Sequence, residues 1–150
     1  MKRLFHVKQR YDWDCGIASI AMMTRCRYDD VFDTFYSKFP KSVGSGLSDS
    51  EFIAILKIYG VKPKIIDCVF HEIPSILFLP SKNEKFGSHA VYFCGKRIYD
   101  PNYRKHKKKY YDKALPKKLP YESQSIVDMN DYFTQLALGE HERAKARHGS

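Results

Sequence analysis

No stretch of this chain approaches the roughly 18 uninterrupted apolar residues that a membrane-spanning helix needs, and its opening, MKRLFHVKQR, lacks the apolar core of a secretory signal. No membrane span is therefore expected, and the expected setting is cytoplasmic. Cysteine is sparse: Cys15, Cys26, Cys68 and Cys94 are scattered, with no C-x-x-C pair. That spacing argues against a zinc pattern or a disulfide framework and leaves reduced thiols as the expectation. Cys68, His71 and Glu72 stand close together, but neighbours on an extended chain point to different faces, so no metal and no cofactor is expected. An internal repeat and a low-complexity linker are also absent from the first 120 residues. With 150 residues, 43% of them hydrophobic, the chain is long enough for one domain around one core.

What is present in excess is positive charge. The formal net charge is +9, and the segment from Lys96 to Lys118 carries ten lysines and arginines against Asp100 and Asp112. Nearly all of the excess therefore resides there. Such a run either meets an acidic partner (nucleic acid, an anionic surface or an acidic protein substrate) or is a solvated loop that keeps the protein soluble. Tyr103, Tyr110 and Tyr111 among the lysines would suit backbone charge contacts and base stacking. No recognition-helix or ribonucleoprotein signature accompanies them, so nucleic-acid binding through residues 96–118 is not the favoured reading.

Periodicity divides the chain into helices first and strands afterwards. Residues 15–27 read as a helix, with Asp14 as its cap and Ile17, Ile20, Ala21 and Met23 or Thr24 at helical spacing. A second is expected over Asp29 to Phe39, with Val31, Phe32, Phe35 and Tyr36 as its apolar stripe. Ser48 and Glu51 form a capping-box pair ahead of Phe52, Ile55, Leu56 and Tyr59, and Gly60 stops that helix. The period then changes. KPKIIDCVF, PSILFLP, HAVYFC and KRIYD are short, rich in β-branched and aromatic residues, and bounded by Pro and Gly. From about Asn130 to Arg147 a final helix is expected. The predicted class is α+β, with N-terminal helices packed on a mainly antiparallel sheet.

The stretch QRYDWDCGIASIAMM places Cys15 where the first helix begins. A thiol attacks a carbonyl as thiolate, and both the partial positive charge of a helix N-terminus and a nearby imidazolium favour that form. Gly16, without a side chain, would let a substrate carbonyl approach the sulfur and the local amides. An oxyanion also needs donors, and Gln9, on the extended segment before the helix, offers a side-chain amide beside the Cys15 N–H. The residue that completes the chemistry is expected in GSHAVYFCGKRIYDPN. Alternation there puts His89, Val91 and Phe93 on one face and Ala90, Tyr92 and Cys94 on the other. With Gly95-Lys96 as a two-residue turn, Cys94 pairs with Arg97 and Tyr92 with Tyr99, which makes Asp100 the diagonal neighbour of His89 and Asn102 its direct opposite. Either residue can orient the imidazole; Asp100 is preferred because a charged acceptor stabilises the imidazolium better.

These residues also form a pattern. The run Q-R-Y-D-W-D-C-G-I-A-S closely resembles the opening motif of the papain-like cysteine peptidases that process double-glycine bacteriocin leaders. H-A-V-Y-F and Y-D-P-N are similar to the same family's histidine and aspartate strands, and G-L-S-D-S-E-F with the helix after it resembles the intervening family helix. The likeness covers about residues 5–103. It implies a papain-like fold in a stand-alone peptidase-like domain, with Cys15 as nucleophile, His89 as general base, Asp100 as its orienting partner and Gln9 in the oxyanion hole. The hairpin from His89 to Asp100 is tighter than the family's usual loop, and RKHKKKYYDKALPKK has no counterpart in it.

Together these expectations describe a cysteine hydrolase that cleaves a peptide or isopeptide bond of a protein or peptide substrate, acidic in character, through a Cys-His-Asp triad and a thioester. Residues 1–128 form the papain-like peptidase domain, and residues 129–150 its C-terminal helix and tail. The alternatives are a glutamine deamidase or acyltransferase-type effector on the same fold, or a non-catalytic basic module that binds nucleic acid or acidic partners.

Overall fold

The computed structural model describes residues 4–70, 72–80, 88–102 and 124–134. Three helices come first: α1 (Cys15–Thr24), α2 (Tyr28–Lys38) and α3 (Asp49–Ile58). Residues Gly16 to Met22 of α1 are all buried, as befits a helix enclosed by its neighbours on every side. It stops at Thr24 rather than at position 27 because Arg25 turns left-handed, with φ at 58°. From there the Cys26 N–H reaches back 3.0 Å to the Ala21 carbonyl and closes the helix end. One residue earlier than expected, α2 begins at Tyr28, which is buried with Val31 and Phe35, whereas Tyr36 lies 56% exposed. The α3 start carries both halves of the expected capping box: Ser48 N–H donates to Glu51 Oε1 over 2.8 Å, and Glu51 N–H to Ser48 Oγ over 3.3 Å.

The strands are β1 (Pro63–Ile66), β2 (Ser75–Pro80), β3 (Ser88–Phe93), β4 (Ile98–Tyr99) and β5 (Ser125–Asp128). They form one sheet in the order β1-β5-β2-β3-β4, and every described pairing is antiparallel. The class is thus α+β. Sequence reading missed β5, which inserts between β1 and β2 and supplies buried Ser125, Ile126 and Val127. Of the expected C-terminal helix, residues 129–134 are helical and the remainder lies outside the described residues.

Alternation along the strands builds two cores. Ile76, Ala90 and Ile126 join Ile17, Ile20, Phe35, Ile55 and Leu56 from the helices in one cluster. Leu77, Leu79, Val91, Phe93, Val69 and Ile98 make a second cluster. Among the described residues β4 pairs with Tyr92 and Phe93 and no strand pairs with the first half of β3 on that side; α1 packs against β3. The N-terminal end of α1 meets the sheet there.

Candidate active site

The site begins in the turn before α1. Asp14 is fully buried, and its carboxylate accepts the backbone N–H groups of Arg10 and Tyr11, each at 2.9 Å, and the Tyr28 hydroxyl at 2.5 Å. Asp14 therefore occupies the N-cap position without capping: its side chain turns back into the preceding loop and makes no bond to the helix amides. That corrects its expected role. Trp13 anchors the same loop, 8% exposed and packed against Phe35 and Phe32, with Tyr11 stacked on its outer face. The first turn of α1 contains no acidic residue, and among the described residues nothing accepts from the Cys15 N–H.

Cys15 is the first residue of α1 and is half-buried. Gly16 also serves packing. A Cβ there would stand 2.6 Å from the tip of the Phe52 ring, so its absence lets α1 and α3 approach each other. On the sheet side, the Ala90 N–H donates to Cys15 Sγ over 3.5 Å.

His89 lies one residue before Ala90. Its Nε2 is 2.6 Å from Asp100 Oδ1, both side chains being less than a fifth exposed. Burial alone would lower the imidazole pKa, but the hydrogen bonds to the Asp100 carboxylate and to the Cys15 sulfur outweigh it and raise the pKa to about 9. Tyr92 opposite Tyr99 and Phe93 opposite Ile98 is the register that the two-residue turn implies, and Gly95 provides its positive φ of 101°. Asn102 turns its backbone N–H, rather than its side chain, into the cluster, donating to the same Asp100 Oδ1 at 2.9 Å.

Gln9 belongs to the same neighbourhood through its backbone, whose N–H donates to the Pro101 carbonyl at 2.9 Å. Its side-chain amide donates to the Tyr11 carbonyl at 2.7 Å, while Oε1 is buried without a partner among the described residues. Sequence reasoning overlooked Tyr28 as the support of Asp14, and His6, whose Nε2 lies 2.7 Å from the Asp100 carbonyl oxygen. An aspartate directly before the cysteine was the available signal for the first; nothing local marks the second. Among the described residues no cluster of metal-ligating side chains occurs. His71 and residues 103–118 of the basic run lie outside them. Among the described residues no helix is long and apolar enough to cross a membrane. Comparison of the chain with protein-family models, curated proteins and solved structures gives no match.

Proposed function

We propose that the protein is a papain-like cysteine hydrolase that cleaves a peptide or isopeptide bond. The observations that carry this reading come from distant segments: the His89 imidazole is 2.6 Å from the Asp100 carboxylate, the N–H of the next residue, Ala90, donates to Cys15 Sγ, and Asp100 and Cys15 together raise the imidazole pKa. A cysteine at a helix start, an imidazole that holds its proton and a carboxylate that orients the ring are the parts a thiolate-imidazolium pair needs.

The chemistry follows from those positions. The Cys15 thiolate attacks the substrate carbonyl, forming the C–S bond and moving the carbonyl electrons onto oxygen. The Cys15 N–H and the Gln9 side-chain amide, which has a second hydrogen beyond the one given to Tyr11, hold that oxyanion. As the tetrahedral centre collapses, the C–N bond breaks and the His89 imidazolium gives its proton to the leaving amine. Neutral His89 then takes a proton from water, whose oxygen attacks the thioester. The acid departs and the thiolate returns. An acidic substrate suits the lysine-rich sequence that begins a few residues after Asp100.

Treatment with a thiol-directed electrophile near neutral pH, followed by peptide mapping, tests the reading. Selective modification of Cys15 over Cys26, Cys68 and Cys94, lost in His89→Ala, is the expected result. Equal labelling of all four, or labelling indifferent to His89, would overturn it.

A further inference from the structure

We infer that Asp14 and Tyr28 are positioning residues for the oxyanion side of this site, a claim that rests on the hydrolase reading above. The Tyr28 hydroxyl, on the first residue of α2, donates to the Asp14 carboxylate. That carboxylate holds the N–H of Tyr11, and the carbonyl of the same residue accepts the side-chain amide of Gln9. The order Tyr28, Asp14, Tyr11, Gln9 is thus one continuous series of hydrogen bonds from the core of the helical layer to the proposed oxyanion donor. Asp14 is also covalently next to Cys15, so one buried side chain fixes both the nucleophile's backbone and the loop that carries Gln9.

The surroundings explain why this series is stiff. Asp14 has no exposure at all, and a buried carboxylate is stable only when its oxygens are satisfied. Here Oδ1 takes the Tyr11 N–H, and Oδ2 takes the Arg10 N–H and the Tyr28 hydroxyl. Burial, with the Asp14 hydrogen bond added, pushes the Tyr28 pKa far above its ordinary value, so the hydroxyl remains a donor at any working pH. The Arg10 guanidinium sits 4.2 Å over the Tyr28 ring and 2.8 Å from Asp29, closing the loop over the pair from outside. A carboxylate used only as a helix cap would face the α1 amides; this one faces the loop.

Two probes separate positioning from plain structural support. Alkylation of Cys15 by iodoacetamide needs the thiolate but builds no oxyanion, whereas acylation by p-nitrophenyl acetate passes through one. In Tyr28→Phe, acylation should slow roughly tenfold, part of the 10²–10³ that deletion of an oxyanion donor costs, while alkylation stays within about twofold of wild type. In a Gln9→Ala background the same substitution should add almost nothing, because the donor it positions is already gone. Should Tyr28→Phe melt too early to assay, Asp14→Asn, which keeps an acceptor oxygen, serves in its place, and it should be less damaging than Asp14→Ala. Equal slowing of both reactions, no slowing of either, or a full effect persisting without Gln9 would overturn the inference. A wild-type Cys15 that is neither acylated nor alkylated faster than the other cysteines would instead overturn the hydrolase reading itself, and this inference with it.

Discussion

A single methyl group added at position 16 would press on the Phe52 ring, which is 3% exposed and already held edge-on against Phe78 with centroids 5.2 Å apart. The ring has little room to yield, so Gly16→Ala should lose about 1–3 kcal/mol of stability, read from urea denaturation. An unchanged midpoint would show that the two helices separate freely. The sequence made Gly16 visible as special, but its packing role depends on a residue 36 positions later and was not legible locally. His89 gives a second test. Its folded pKa, raised to about 9, exceeds the unfolded value near 6.5, so between these pH values the native state binds the extra proton. The stability gained is fully present below about pH 6.5 and is lost as pH rises through about 9. The melting-temperature gap between wild type and Asp100→Asn should therefore narrow over that window. A gap constant from pH 6 to 10 would contradict the ion pair.

Among the elements, α3 and the β3-β4 hairpin were the most readable. Each is specified by contacts a few residues apart: Ser48 with Glu51, and Cys94 with Arg97 across a glycine at positive φ. Ser48→Ala should accordingly cost about 1 kcal/mol, detected as a lower melting temperature, whereas a surface serine such as Ser50 should tolerate alanine. The strand β5 was illegible for the opposite reason. Its four residues pair with Pro63–Ile66, and Ser125 to Val127 also pair with Ser75–Leu77, so only the assembled sheet explains why SIVD is extended. Once assembled, it is central: Ile126 is fully buried between β1 and β2 in the larger core. Ile126→Ala should cost about 2–5 kcal/mol by denaturant titration, and a loss below 1 kcal/mol would mean that β5 is peripheral. α1 ends three residues early because Arg25 adopts a left-handed conformation that its residue type does not announce, and each end of α2 differs by one residue.

At the scale of the whole molecule, the fold brings together what the sequence separates by 74 positions, Cys15 and His89. The hairpin register made Asp100 legible as a neighbour of His89, because two-residue turns dictate cross-strand pairs. No spacing rule brings α1 to β3; the need of a thiolate for a nearby imidazole, and then the family resemblance, made the pair an expectation, and packing of both elements in one core accomplishes it. Net charge acts at the same scale. If acidic peptides are the substrates, raising the salt from about 50 to 500 mM should lower kcat/KM for them severalfold while sparing neutral peptides; equal salt sensitivity for both would remove the charge run from the account. The most direct measurement is the titration of the His89 imidazole by nuclear magnetic resonance in wild type, Cys15→Ala and Asp100→Asn. A midpoint of about 9 in wild type that falls in both variants is expected. A midpoint near the ordinary 6.5, or one that Cys15→Ala leaves unmoved, would contradict it.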